Sequence, residues 1–203
     1  YNRGSGPLVI TDGIFALTGE IAPLDQIYEV VRKHDAILVV DDAHATGVIG
    51  ATGKGTPEHF GLPGDGRIYQ TETMSKALGG YGGFISGSRQ VTGMIREKSA
   101  TYQASTALPP PIAAAGTASL ALIRENPGMR RELLDKAWMI REAVAAMNFL
   151  RLGRLTGDPD LEEKAYKQLK AFGSIVEGHP TGYTNMLSVL LFANSKASEI
   201  VIV

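Results

Sequence analysis

Ala36-Ile-Leu-Val-Val-Asp-Asp-Ala-His-Ala-Thr-Gly47 is the stretch whose reading decides the fold. It opens with a short, continuous apolar run rich in β-branched side chains. Such a run suits a strand of a parallel sheet with helices over both faces. It then stops in two acids and a histidine. In open α/β sheets ligands collect beyond the carboxyl ends of the strands. Asp41, Asp42 and His44 are therefore expected at a ligand-facing edge.

The flanking sequence alternates strand and helix. Leu8-Val-Ile10 reads as a strand closed by the turn Thr11-Asp-Gly13. Pro23 sits where helices start, and a helix is expected from there to about His34. Residues 47–66 are rich in glycine and proline and read mostly as loop. Arg67 to Gln70 and Gly82 to Gly87 read as further strands. Ser88 is placed to cap a helix from Arg89 to about Thr101. Ile112 to Glu125 is alanine-rich and suits a helix. Asn126-Pro-Gly128 interrupts before another, from Met129 to about Met147. The expected class is α/β: a mostly parallel, doubly wound sheet flanked by helices. From about Asn148 the pattern turns helical, with helices over Leu161–Phe172 and Tyr183–Ala193, until a strand-like end at Glu199–Val203. Two domains follow from this reading, residues 1–147 and a mainly helical segment over 148–203.

Bulk properties narrow the function classes. The chain has 203 residues, 44% hydrophobic and 20% charged, with net charge −1. That balance offers no handle for nucleic acid or an anionic membrane surface. There is no cysteine, so disulfides and thiolate metal sites are excluded. No apolar run approaches the roughly 20 residues of a membrane span. A cytoplasmic protein is expected, with both ends of the chain looking cut.

The second informative stretch is Thr71-Glu-Thr-Met-Ser-Lys-Ala-Leu-Gly-Gly80, with one lysine after a hydroxyl-rich turn. Taken with the first, it reads as a pyridoxal phosphate site. That chemistry needs an amine for the aldehyde, a carboxylate for the pyridine nitrogen, a donor for the phenolic oxygen and hydroxyls for the phosphate. Lys76 suits the first role, with burial and nearby positive charge activating its amine. Asp41 suits the second, His44 the third, and Thr73 with Ser75 the fourth. Plainer readings exist for each residue taken alone. Lys76 could be a surface residue and His44 a structural one. Asp41 and Asp42 could solvate a strand end or hold Mg²⁺ weakly. Thr73 and Ser75 could be turn residues. The combination argues for the cofactor and against a resident metal. His34, His59 and His179 are read as structural.

Asp12-Gly-Ile-Phe-Ala-Leu-Thr-Gly-Glu-Ile-Ala-Pro-Leu24, Val40-Asp-Asp-Ala-His-Ala-Thr-Gly47 and Thr73-Met-Ser-Lys-Ala-Leu-Gly-Gly80 resemble the α-oxoamine synthases, fold-type-I pyridoxal phosphate enzymes. The motifs look most like the 2-amino-3-ketobutyrate CoA ligase and 8-amino-7-oxononanoate synthase branches. The resemblance runs over about residues 8–147 and implies part of a transferase large domain. It implies an acyltransferase that condenses an amino acid with an acyl-CoA, usually with loss of carbon dioxide. Lys76 would be the Schiff-base lysine and acid–base group, Asp41 the partner of the pyridinium, His44 that of the phenolic oxygen, and Thr73 a phosphate ligand. Ser105-Thr-Ala-Leu-Pro-Pro110 looks like a segment reaching a neighbouring subunit's phosphate, so Thr106 joins the set and a homodimer is implied. Ala16 stands where many members have serine. The family's N-terminal half and small domain are not recognisable, so the chain alone is expected to be poorly active. Residues 150–165 and 180–184 resemble a helical toroid of thioredoxin-domain proteins, which suggests a chimera joined near Met147. An aminotransferase, or a non-catalytic or designed α/β chimera, are the competing readings.

Overall fold

The computed structural model describes every residue except 1–5, 63, 65, 179–183 and 196–203. The expected strand at Glu199–Val203 and His179 lie outside the described residues. The sheet has four strands in the order β1-β2-β3-β4: β1 (Leu8–Asp12), β2 (Ile37–Asp41), β3 (Ile68–Thr73) and β4 (Gly83–Ser86). The first three pair in parallel and β4 is antiparallel to β3. The order shows no reversal, so the described strands do not show the double winding expected. The reversal of β4 has a simple cause. Only residues 74–82 join it to β3, and a parallel return needs a crossover of a dozen residues or more.

Helix α1 (Leu24–Lys33) follows Pro23 and buries Leu24, Tyr28 and Val31, one stripe at helical spacing. Its end explains the turn into β2. Asp35 adopts φ 49°, Ala36 N–H donates to the carbonyl of Val31 at 2.9 Å, and Asp35 N–H donates to that of Arg32 at 3.4 Å. This is the Schellman arrangement, with aspartate in the left-handed position usually held by glycine. Arg67 Nη1, at the start of β3, donates to Asp35 Oδ1 at 2.6 Å. The core under α1 is Leu24, Val31, Ala36, Leu38 and Val40, joined by Val9, Phe60 and Ile68. These strand residues share one face of the sheet. The opposite face is apolar but open: Leu8 is 59% and Ile10 68% exposed, and Ile37 and Ile85 are also exposed. The expectation of helices over both faces of β2 therefore holds for one face only among the described residues.

Beyond the sheet the expected helices form with shifted ends. Residues 47–66 contain a short helix α2 (Thr56–His59), with proline in its first turn. The helix expected over 89–101 is two: α3 (Arg89–Lys98) and α4 (Ala100–Ala104), each capped by a serine, Ser88 and Ser99. Helix α5 (Pro110–Glu125) and helix α6 (Pro127–Thr156) follow, and α6 is continuous across Met147. The chain divides into two compact units between Arg131 and Glu132, within α6. In the second unit α6 packs with α7 (Pro159–Gly178) and α8 (Thr184–Asn194) around Ala146, Leu150, Leu169, Met186 and Val189. Gly153 permits this approach, because a Cβ there would come within 2.7 Å of Glu162 Cγ. Arg154 Nη2 donates to the carbonyl of Ala193 near the end of α8 at 2.9 Å, a cation where the helix dipole favours one.

Two buried acids organise the carboxyl ends of β2 and β3. Asp42 is 0% exposed. Its Oδ1 accepts from Thr56 Oγ1 at 2.6 Å, and its Oδ2 accepts from Thr56 N–H and from Gln70 Nε2, both at 2.8 Å. A Cβ on Gly13 would run into Asp42 Oδ1, and one on Gly55 into Asp42 Oδ2. Gly55 also has φ 90° and ψ −157°, a region that is essentially glycine-only. Glu72 is 9% exposed, and its Oε1 accepts from Thr46 Oγ1 at 3.0 Å. Burial holds both carboxyls above their ordinary values of 3.8 and 4.5, against the pull of the hydroxyls bonded to them.

Replacing Asp42 by Asn leaves one accepting oxygen where there were two: an amide N–H₂ facing Thr56 N–H and Gln70 Nε2 meets only donors, and one facing Thr56 Oγ1 requires that hydroxyl to turn from donor to acceptor. The expected cost is about 1–3 kcal/mol, read as a lower urea midpoint for D42N with an unchanged m-value. The pH dependence has the opposite sense to that of an ion-paired carboxylate. A carboxyl whose folded pKa is raised stabilises most below its unfolded value, and that contribution is lost as pH rises through the folded value. E72Q cannot ionise, so its stability relative to the parent should rise as the pH is raised above the ordinary carboxyl value of 4.5. A parent–variant gap in urea midpoint that is flat with pH would contradict the assignment.

Candidate active site

The six candidate residues lie on two turns and one outlying segment. The first turn leaves β2. Ala45 N–H and Thr46 N–H both donate to the carbonyl of Asp42 at 2.9 Å, and Val48 and Ile49 N–H donate to that of Ala45 at 2.9 and 3.0 Å. The segment is thus a pair of overlapping helical turns with His44 at its start. Asp41, the last residue of β2, is exposed. Its Oδ1 accepts from Ala43 N–H at 3.0 Å, which leaves Oδ2 for another donor.

The second turn joins β3 to β4. Met74 N–H donates to the carbonyl of Gly82 at 2.8 Å, and Gly80 N–H to that of Met74 at 2.6 Å. Met74 is buried and anchors the turn on α5, where a Cβ on Gly116 would run into its Sδ. Thr73 Oγ1 and Ser75 Oγ are 2.7 Å apart, and Ser75 N–H donates to Thr73 Oγ1 at 3.1 Å. Two hydroxyls thus stand side by side at the mouth of the turn.

The turns meet at Lys76 and His44. Lys76 Nζ lies 2.8 Å from His44 Nε2 and 3.3 Å from Nδ1. An ammonium there donates to the ring nitrogen without a proton, and a neutral amine can accept from the one that has it. The side chain of Lys76 is exposed, not buried as expected. Thr106 is exposed in the segment between α4 and α5, and no hydrogen bond joins it to the other five. Leu108, two residues on, does lie against the Gly82 end of the turn. Among the described residues there is no cluster of three or more metal-ligating side chains, and no helix is long and apolar enough to cross a membrane.

Asp41 and Asp42 have different roles, and the buried one, Asp42, has no place among the residues the sequence assigns to the site. Their neighbours carried the signal. Leu38, Val40 and Asp42 alternate on the packed face of the sheet, and Ile37, Val39 and Asp41 on the open one. Glu72 was passed over between two threonines. The same alternation from Ile68 through Gln70 puts it beside Asp42. A groove of about 560 Å³ runs from Thr46 and Gly47 past Lys54 to Thr117 and Arg124 of α5, and none of the six candidates lines it.

Comparison with known proteins bears on this arrangement. The family model described as aminotransferase class I and II matches residues 2–158. An 8-amino-7-oxononanoate synthase of Methylococcus capsulatus is 42% identical over 156 residues, which is 77% of this chain and 40% of the relative. The 8-amino-7-oxononanoate synthase 1 of Bacillus subtilis is 42% identical over 132 residues, 64% of this chain and 32% of the relative. Among solved structures, the serine palmitoyltransferase of Sphingomonas wittichii superposes with a TM-score of 0.65 at 27% identity, covering 72% of this chain and 37% of that one. A serine palmitoyltransferase from S. paucimobilis with a bound PLP–myriocin aldimine gives 0.64 at 31% identity, over 69% and 35%. The chain spans about two fifths of the length of the first relatives it matches. The resemblance to the α-oxoamine synthases is borne out, and the chain belongs to the aminotransferase class I and II family.

Proposed function

We propose that this chain carries the cofactor-holding core of a pyridoxal phosphate-dependent acyltransferase that condenses an amino acid with an acyl-CoA. The observation that carries the reading is the approach of Lys76 Nζ to His44 Nε2 at 2.8 Å, beyond the carboxyl end of β2. The donor set fits the cofactor. Lys76 offers an exposed amine for its aldehyde. Asp41 offers a carboxylate oxygen to the pyridine nitrogen, His44 a ring nitrogen to the phenolic oxygen, and Thr73 with Ser75 two adjacent hydroxyls to the phosphate. When bound, the cofactor supplies an electron sink for a carbanion at the substrate's Cα.

The chain's own groups then divide the remaining work. Lys76 Nζ takes the proton from the amino acid's Cα and returns one at the end. His44, in contact with it, fixes where that amine points and can share its proton. Asp41 keeps a positive charge opposite its carboxylate. The names of the relatives, 8-amino-7-oxononanoate synthase and serine palmitoyltransferase, support the acyl-transfer reading over the aminotransferase one. A homodimer in the cytoplasm, with Thr106 serving the partner's phosphate, is part of the same proposal. So is the division into a large-domain part over 1–147 and a helical segment over 148–203.

The test is direct. Pyridoxal phosphate added to the chain should give a visible absorbance band, and borohydride reduction should fix the label on Lys76. K76A should take no label there, and D41N should bind about 10-fold more weakly or worse. A label confined to other lysines, or no band with a folded chain, overturns the assignment.

A further inference from the structure

We infer that Glu72 is a positioning residue: through Thr46 it holds the turn carrying His44 against the turn carrying Lys76. The inference rests on the proposed site but concerns a residue outside it. Glu72 lies on β3 with Gln70, on the sheet face that also carries Asp42, whereas Asp41 belongs to the other face. It reaches the His44 turn from beneath and does not touch the reacting groups.

Three observations carry the argument. The first is the tie itself. Thr46 Oγ1 donates to Glu72 Oε1 at 3.0 Å, both residues being buried. The backbone of Thr46 is already fixed to the carbonyl of Asp42. A second anchor on its side chain removes the remaining freedom of the turn, and with it that of His44 two residues earlier. The second is a close contact beside the tie. A Cβ on Gly47 would lie 2.9 Å from the Cβ of Ala77, so the two turns touch backbone to side chain next to Lys76. The His44–Lys76 approach is thus flanked by the Glu72–Thr46 bond and the Gly47–Ala77 contact. The third is what the arrangement costs. Glu72 is buried, and burial holds its carboxyl above the ordinary value against the pull of the Thr46 and Ser86 hydroxyls. An apolar side chain would fill the place without that cost. The buried carboxyl stands where β3 meets the His44 turn.

The experiment uses the whole chain without cofactor and reads the nuclear Overhauser cross-peak between the His44 ring and the Lys76 side chain. Backbone shifts of α1 report folding. Glu72→Gln keeps a carbonyl for Thr46 and should retain the cross-peak. Thr46→Val and Glu72→Leu each remove the tie and should lower the closed-to-open ratio of the two turns about 5-fold, the factor for one hydrogen bond of about 1 kcal/mol, read as a cross-peak weaker than the parent's. The double variant should be no worse than either single one. A cross-peak of parental strength in folded T46V, its loss in E72Q, or its absence from the parent overturns the inference. If E72L does not fold, T46V and E72Q decide. Failure of cofactor labelling in a parent that shows these effects would instead sink the proposed function and leave the role of Glu72 standing.

Discussion

A single buried carboxylate holds the working end of this sheet together. Asp42 has no solvent to share its charge with, so its oxygens are satisfied by Thr56 and Gln70. Those partners come from the start of α2 and from β3. The bonds therefore tie two separated pieces of chain to the end of β2. Gly13 and Gly55 are small because the carboxylate occupies the space a side chain would need. Unpaired, such a group would cost several times what an ordinary surface contact supplies. Its partners are consequently as constrained as the acid itself.

This constraint sets the geometry of the candidate site. With Asp42 fixed beneath the sheet, strand alternation sends Asp41 to the opposite face, where it is exposed. The carbonyl of Asp42 receives Ala45 and Thr46, so the same residue starts the turn that bears His44. The Lys76 turn is fixed independently, by the short β3–β4 connection and by Met74 against α5. Two turns of separate origin thus meet at His44 and Lys76.

Much of this was legible in the sequence where local chemistry decides it. The apolar run into Asp41 and the proline-started stripe of α1 read correctly because each is governed by periodicity and end signals. Ser88 was likewise recognisable as a cap. The sense of β4 was not, because strand direction depends on connection length and not on the pattern within the strand. The short α2 was hidden in a glycine-rich segment; it begins where Asp42, distant in sequence, accepts from Thr56. At the site, Lys76 and His44 were found through their motif residues, and the structure brings them together. Thr106 was named through a resemblance alone, and no bond connects it to the others. The roles of Asp42 and Glu72 depend on which face each occupies. That face can be counted from Leu38, Val40 and Ile68, whereas the burial that sets the two acids apart follows from the packing above it.

The two turns touch at His44–Lys76 and at Gly47–Ala77, and Thr46 is tied to Glu72, so either turn has little room to move alone. A ligand entering between them would then find its contacts already arranged. Little additional ordering entropy would be lost on binding, and little reorganisation would be needed as charge shifts during reaction. A loose pair of loops with the same side chains would have the same composition but would bind more weakly and react more slowly.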